Sequence, residues 1–257
     1  MENGQGGTDG EILLFDKPAG ISSFGVVAKV RHELTKRAGH KVKVGHTGTL
    51  DPFATGLMIL LSGKATKRSN EFLKKDKVYE ATICLGKVSS TGDPEGEITP
   101  YDQLGSGLDS ESEESDGFEE TSFGDSLSMF NDAVFMSRPS YDEVEAAVER
   151  FVGVINQKVP QYSAVKIDGQ RAYKLARAGK DFETPTRQVT IYEIEIMSYE
   201  WPELKIRCHV SSGTYIRTLG EDIGEKLGVG GYLTQLRRIR IGKYDVKDAM
   251  TLEEFCE

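Results

Sequence analysis

Residues 45–61 read GHTGTLDPFATGLMILL and join a glycine-rich, carboxylate-bearing loop to the most apolar segment of the chain. The three glycines permit backbone conformations that other residues resist, and Pro52 restricts Asp51 to an extended geometry. The apolar run that follows has the length of a buried strand. The stretch therefore predicts a rigid loop that holds the Asp51 side chain still in front of a core strand. The same spacing is also compatible with an Asp-Pro turn whose carboxylate is solvated.

Outward from this stretch, helical and strand periodicities alternate along the chain. Apolar residues recur at every second position, as in strands, at 79–85, 189–191, 194–196 and 204–210. Helical spacing follows Ser22 or Ser23, follows Ser140 with its capping partner Glu143, and covers 171–179 and 217–228. The pattern predicts the mixed α/β (α+β) class, a mixed sheet with helices on its outside.

A second candidate segment for chemistry lies at 211–217. The strand before it alternates cleanly until Gly213, which is typical of a bulge. Tyr215 and Arg217 would then share one face of the strand. A guanidinium beside an aromatic ring can bind a carboxylate or a phosphate, but it can equally form a structural ion pair on a sheet face.

Composition narrows the class of protein. The chain has 257 residues, of which 38% are hydrophobic and 28% charged, as in ordinary globular proteins. No apolar run approaches the ~20 residues of a membrane helix, and the polar N-terminus lacks the features of a signal peptide. Neither the three cysteines nor the four histidines have metal-ligand spacing, and no second carboxylate motif pairs with Asp51. We therefore expect a cytoplasmic protein that binds no metal and no membrane.

The negative charge is concentrated in one segment. Residues 101–140 contain ten acidic residues and one basic residue, Arg138. This segment therefore carries a net charge of 1 − 10 = −9, which is the whole net charge of the chain. We expect residues 101–136 to form a disordered acidic insertion and residues 1–10 to form a flexible N-terminus. Elsewhere Lys and Arg cluster locally, as at 36–43, 64–77 and 237–243. These clusters are typical of solvated faces, yet they leave room for a surface that binds phosphates.

Five motifs occur in an order that resembles the bacterial TruB-type tRNA pseudouridine synthases. They read LFDKPAGISS at 14–23, GHTGTLDP at 45–52, KVY at 77–79, VPQYSAVK at 159–166 and GTYIR at 213–217. The resemblance runs from about residue 11 to 250, interrupted only by the acidic insertion. It implies the pseudouridine synthase fold, with a mainly antiparallel central sheet, as one catalytic domain over residues 11–257.

The resemblance also implies a reaction and a nucleophile. The reaction would be the isomerisation of uridine to pseudouridine at position 55 in the T-loop of tRNA, after the base is flipped out of its stack, without a cofactor. Asp51 matches the family's catalytic aspartate, which attacks either the uracil ring or the ribose C1′. Arg217 matches the arginine that pairs with it, where an opposite charge would keep Asp51 ionised.

The resemblance assigns further residues to the substrate. Tyr79 matches the tyrosine that stacks on the target base, and Tyr215 lines the same pocket. Leu236 matches an apolar pocket residue, and His46 matches a histidine that contacts the RNA around the extruded nucleotide. Lys17 and Lys166 fall within family motifs, for which we expect a structural or RNA-contact role.

The sequence departs from the family pattern in two respects. The acidic insertion is not part of the pattern, and we expect no C-terminal RNA-binding module after residue 257.

We expect the partner to be the tRNA T-arm, with no obligate protein partner and a monomeric state. The main alternative is a tRNA-folding chaperone with secondary or lost catalysis. Ser163 and Lys166 also match the Ser-x-x-Lys of acyl enzymes, but the accompanying Ser-Asp-Asn and Lys-Thr-Gly motifs do not occur.

Overall fold

The computed structural model describes residues 10–101, 138–167 and 169–257. The predicted flexible N-terminus and disordered acidic insertion lie outside these residues, apart from residues 10 and 101 at their borders. Among the described residues, no helix combines the length and the apolar character that a membrane crossing requires.

Nine strands form one large sheet. They are β1 Ile12–Lys17, β2 Val44–His46, β3 Thr55–Ser62, β4 Lys77–Leu85, β7 Gly153–Lys158, β10 Thr186–Glu200, β11 Glu203–Val210, β12 Gly231–Ile241 and β13 Tyr244–Asp245. Two short hairpins are separate: β5 Lys87–Ser89 with β6 Ile98–Pro100, and β8 Lys166–Ile167 with β9 Gln170–Arg171.

The strand order in the large sheet is β1-β3-β12-β4-β11-β10-β7, with β2 added to β3 and β13 added to β12. The neighbouring strands are antiparallel except β3 and β12, which run parallel. The predicted mixed, mainly antiparallel sheet is confirmed.

The helices flank the sheet. They are α1 Ser23–Ala38, α2 Ser69–Leu73, α3 Tyr141–Glu149, α4 Ala172–Arg177, α5 Ile216–Lys226 and α6 Leu252–Cys256, with 3₁₀ turns at Gly63–Arg68 and Val246–Asp248. The main core unites the alternate apolar residues of β4, β11 and β12 with the apolar sides of α1, α3, α5 and α6. A smaller core on the other side of β3 includes Phe72 of α2. The helices of the main core therefore cover one face of the sheet, and the site described below lies on that face.

Local sequence signals explain the helix starts. The Ser22 side chain accepts a hydrogen bond from the amide of Gly25 at the N-terminus of α1. Ser140 and Glu143 form the predicted reciprocal capping box of α3, in which each side chain binds a backbone amide that the helix leaves unpaired. Both helix starts are confirmed.

The prediction that the strand continues through a bulge at Gly213 is wrong. Strand β11 ends at Val210, and α5 begins at Ile216 with Tyr215 as its N-cap residue. Gly213 has φ of +90°, a conformation that glycine adopts without steric cost. It therefore lies in the turn between strand and helix, and Arg217 lies in the first turn of α5 and not on a sheet face.

Candidate active site

The loop that carries Asp51 connects β2 to β3 and is fixed by side chains from two other elements. The buried Ser23 hydroxyl, at the start of α1, donates to the carbonyl of Leu50 and accepts from the amide of Leu50, both at 2.8 Å. The carbonyl of Pro52 accepts from Lys17 Nζ at 3.0 Å and from the amide of Gly20 at 2.9 Å. Asp51 thus stands between two residues whose backbones are anchored, as the rigid-loop prediction required.

Lys17 makes this anchoring possible because its ammonium group is buried. The side chain is fully inaccessible, and Nζ also donates to the carbonyls of Pro18 at 2.7 Å and Ile21 at 2.8 Å. Burial lowers the pKa of Lys17 to about 8, although the Asp51 charge opposes that shift. Lys17 therefore has a structural role, one of the two that the sequence allowed.

Asp51 forms an ion pair with Arg217. Arg217 Nε lies 3.1 Å from Asp51 Oδ2, and the arginine side chain is 5% exposed against 32% for the aspartate. The carboxylate is therefore held on one side by a buried cation and open to solvent on the other. The Asp51 carboxylate is thus partly solvated, as in the alternative of an Asp-Pro turn, but it is also paired with a buried arginine, which that alternative did not include.

The remaining nitrogens of Arg217 are bound by a second carboxylate and two backbone carbonyls. Nη1 lies 3.0 Å from Asp93 Oδ2 and donates to the carbonyl of Thr91 at 2.8 Å, while Nη2 donates to the carbonyl of Tyr162 at 2.8 Å. Asp93 is itself buried and accepts from the Thr91 hydroxyl and from the amide of Glu95. These contacts fix the plane of the guanidinium and with it the position of Nε, 3.1 Å from Asp51 Oδ2.

The pKa of Asp51 is raised from its ordinary value of 3.8. Burial is the main cause, and the Asp93 charge acts in the same direction, whereas Arg217, Lys17 and Arg238 lower the pKa. Arg217 thus favours the ionised form of Asp51, as the resemblance implies, but burial outweighs this effect on the pKa. The pair places a carboxylate of increased basicity beside open space, which suits a nucleophile.

Tyr79 and Leu236 lie on the same face of the sheet as this ion pair. Tyr79 is in β4, opposite Arg238 of β12, and Leu236 lies opposite Ala81. Both side chains belong to the main core, yet 8% of Tyr79 and 7% of Leu236 remain exposed. They provide an aromatic and an aliphatic wall on the core face of the sheet.

His46 and Tyr215 are placed by hydrogen bonds between side chains and backbone. The amide of Gly48 donates to Nδ1 of His46 at 3.3 Å, and burial lowers the pKa of this histidine, so its neutral form is favoured. The backbone of Tyr215 is bracketed by the Gln157 side chain, which accepts from its amide at 2.8 Å and donates to its carbonyl at 2.9 Å. Of the predicted site residues, the structure joins Asp51 and Arg217 by an ion pair and places the other four through strand pairing or backbone contacts.

Sequence reasoning missed Asp93 and misjudged Arg238. Asp93 lies in the turn TGDPEG at 91–96, which reads as an ordinary surface turn, although its carboxylate reaches the arginine that Asp51 binds. Arg238 belongs to a basic cluster that we took for a surface feature, yet it is 1% exposed. No local signal distinguishes a buried arginine from its exposed neighbours. Within the described residues no group of three or more His, Cys, Asp or Glu side chains could hold a metal ion.

Two family models match the chain. The model of the TruB family pseudouridylate synthase N-terminal domain matches residues 36–115 and 117–216, and that of the tRNA pseudouridylate synthase B C-terminal domain matches residues 217–257. The border between them falls inside α5, whose residues pack into the main core with both matched parts.

Curated proteins resemble the chain along most of its length. It is 42% identical over 251 residues to tRNA pseudouridine synthase B of Phocaeicola vulgatus, covering 97% of this chain and 93% of that protein. It is 41% identical over 242 residues to tRNA pseudouridine synthase B of Nitrosospira multiformis, covering 94% of this chain and 67% of that protein.

Solved structures share the fold. A chain in the crystal structure of a Cbf5-Nop10-Gar1 complex is 26% identical with a TM-score of 0.61, covering 96% of this chain and 53% of that one. A chain in the crystal structure of the archaeal box H/ACA sRNP Nop10-Cbf5 complex is 24% identical with a TM-score of 0.60. That match covers 97% of this chain and 53% of the other. The present chain thus spans about half the length of these solved relatives.

Proposed function

Because this chain belongs to the TruB family of pseudouridylate synthases, we propose that it isomerises uridine to pseudouridine at position 55 in the T-loop of tRNA. The substrate is the T-arm of tRNA, and the place of action is the cytoplasm. Residues 11–257 act as one catalytic domain. The observation that carries the proposal is the ion pair between Asp51, which lies on the anchored loop, and Arg217 of α5.

Asp51 is the nucleophile. Its carboxylate is fixed in position by Arg217 on one side, while its loop is fixed by Ser23 and Lys17 at the flanking residues. A nucleophile held in one orientation loses little entropy on reaching the transition state, which lowers the barrier. Its raised pKa makes the carboxylate a better nucleophile than a fully solvated aspartate.

The target base must leave its stack before this carboxylate can reach it, at a cost of a few kcal/mol. Tyr79 offers an aromatic surface on which the flipped uracil stacks, and Tyr215 and Leu236 complete the pocket. Aromatic stacking contributes about 1–3 kcal/mol per base and thereby offsets the cost of extrusion. The neutral His46 contacts the RNA beside the extruded nucleotide.

The reaction is balanced without a co-reactant. The Asp51 carboxylate forms a bond either to the ribose C1′ or to the uracil ring, and this bond breaks again before the product leaves. Overall, the N1–C1′ bond breaks, the uracil turns while it stays in the pocket, and a bond forms between C5 and C1′. C5 loses its proton and N1 gains one, so substrate and product have the same atoms and the same oxidation state. Positive character at C1′ during bond cleavage is stabilised by a nearby carboxylate, as in glycosidases. The chemistry therefore calls for no redox cofactor and no group donor.

A single-turnover assay with an unmodified tRNA transcript tests the proposal. We expect pseudouridine at the T-loop uridine, mapped by primer extension after carbodiimide treatment. Asp51→Asn should abolish product while tRNA binding, measured by filter retention, stays within about threefold of wild type. Asp142→Asn, an exposed aspartate in the first turn of α3, is the matched control and should retain full activity.

Two results would contradict the proposal. A wild-type protein that binds tRNA tightly but forms no pseudouridine would favour the chaperone function. Undiminished product formation by Asp51→Asn would exclude Asp51 as the nucleophile.

A further inference from the structure

We infer that Arg238 is a positioning residue for Asp51: from the centre of the sheet, its buried guanidinium holds the backbone of the catalytic loop in the geometry that the reaction requires. This inference rests on the proposed function. Arg238 lies in β12, opposite Tyr79 of β4 and opposite Gly56 at the start of β3. Its side chain is 1% exposed.

The guanidinium binds both ends of the loop. Nη2 donates to the carbonyl of Gly48 at 3.2 Å, Nη1 contacts the carbonyl of Thr49 at 3.4 Å, and Nε donates to the carbonyl of Leu57 at 2.8 Å. Residues 48 and 49 precede Asp51, and residue 57 lies in the strand that follows it. One rigid planar group therefore sets the distance between the two ends of the segment that carries the nucleophile.

The start of β3 is shaped by the β12 backbone beside it. A Cβ atom at Gly56 would lie 2.3 Å from the carbonyl oxygen of Arg238. The φ of Gly56 is +103°, which side-chain-bearing residues rarely adopt. Gly56 is thus explained by the close approach of the backbone that carries Arg238, at the end of the loop that the guanidinium binds.

The charge of Arg238 is unusual for its location. In the described part of the chain no carboxylate lies within ion-pair distance of its guanidinium, and its hydrogen-bond partners are all backbone carbonyls. A buried cation without a carboxylate partner is costly, and here the carbonyls of Gly48, Thr49 and Leu57 are the groups that compensate for its burial. Its positive charge also favours the ionised form of Asp51.

Arg238→Met tests the inference because methionine fills a similar volume without charge or hydrogen-bond donors. We expect the single-turnover rate constant to fall about 100-fold, the effect of misplacing a reacting group by about 1 Å, while tRNA affinity stays within about threefold. The acid limb of the pH–rate profile should move to higher pH, since a charge that lowers the pKa of Asp51 has been removed. A merely structural role would not move this limb.

Two further variants make the result decisive. Arg207→Met is the matched control, because Arg207 lies on the opposite face of the same sheet, paired with Glu80 and Glu195, and should keep the wild-type rate and acid limb. Arg238→Lys keeps the charge, but all its N–H donors lie on one atom and cannot replace the three separate nitrogens with which Arg238 reaches Leu57, Thr49 and Gly48. It should leave the acid limb within about 0.3 units of wild type and lower the rate about tenfold.

The inference is overturned if Arg238→Met folds and keeps a rate within threefold of wild type, or if its rate falls while the acid limb stays in place. Should Arg238→Met fail to fold, as shown by its circular dichroism, Arg238→Lys decides, and a wild-type rate in that variant would overturn the inference. Absence of activity in the wild-type protein would instead refute the proposed function, together with the inference that depends on it.

Discussion

Arg217 brings together parts of the chain that are far apart in sequence. Its guanidinium contacts Asp51, Thr91, Asp93 and Tyr162 at the same time. Because Nη1 and Nη2 donate to one carboxylate and two carbonyls while Nε pairs with a second carboxylate, the arginine has little freedom to rotate. The orientation of the Asp51 carboxylate therefore depends on this residue, and its basicity depends mainly on burial.

The pH dependence of the reaction follows from the raised pKa of Asp51. In the proposed mechanism the reactive form is the carboxylate, so the single-turnover rate constant should rise with pH through this pKa and then reach a plateau. Since burial raises the pKa above the ordinary 3.8, the midpoint of the acid limb should lie above that value. Rate constants measured at constant ionic strength between pH 4 and 8 give the midpoint, and a midpoint at or below 3.8 would contradict the argument.

At the scale of elements, two adjacent serines at the start of α1 have different tasks. Ser22 caps the helix, whereas Ser23 binds both backbone groups of Leu50. Ser22→Ala should lower the free energy of unfolding by about 1 kcal/mol and leave the single-turnover rate constant unchanged. Ser23→Ala should lower the free energy of unfolding by about 1–3 kcal/mol, because it leaves buried backbone groups of Leu50 without partners. It should also lower the single-turnover rate constant about tenfold or more.

Urea denaturation and single-turnover assays on the two alanine variants check this contrast. Equal rate constants for both variants would show that the contact between α1 and Leu50 does not position Asp51.

The start of β3 is a second element whose local geometry is set by its neighbours. Gly56 combines a φ of +103° with a Cβ position that collides with the Arg238 backbone. Gly56→Ala should therefore destabilise the protein by more than about 3 kcal/mol, since backbone strain and steric overlap add. Gly39→Ala is the control, because Gly39 has a φ of +70° and a Cβ atom added there would have no atom within 4 Å. This variant should lower the free energy of unfolding by only about 1 kcal/mol. Similar denaturation midpoints for the two variants would contradict the collision.

At the scale of the whole molecule, charge is divided between one segment and the rest of the chain. The net charge is −9, and residues 101–140 account for all of it. A polyanionic substrate is repelled by such a segment over a distance of about one Debye length, ~10 Å at 0.1 M salt. The acidic insertion should therefore weaken tRNA binding at low ionic strength.

Replacement of the Asp and Glu residues between 102 and 136 by Asn and Gln removes the charge and keeps the length. This variant should bind tRNA about threefold to tenfold more tightly at 50 mM salt, with the difference disappearing near 0.5 M as screening increases. Filter-binding titrations across this range measure it, and an unchanged affinity at low salt would show that the segment does not compete with RNA.

Local patterns determined most of the elements. The alternation at 79–85 and 204–210 and the caps at Ser22 and Ser140 predict the strands and helices that the structure contains, because periodicity and capping depend only on neighbouring residues. The order of motifs also brought Asp51 and Arg217 forward as partners, which the geometry bears out through their ion pair.

Tertiary structure alone decided how these elements meet. The helical setting of Arg217 and the insertion of β12 between β3 and β4, parallel to one and antiparallel to the other, depend on strands that lie far apart in the chain. The partnership of Arg217 with Asp93 spans 124 residues, and that of Arg238 with Gly48 spans 190. Such contacts leave no local periodicity. Arg238 is buried where distant backbone carbonyls converge on it, and that convergence is a property of the assembled sheet and not of any segment of the sequence.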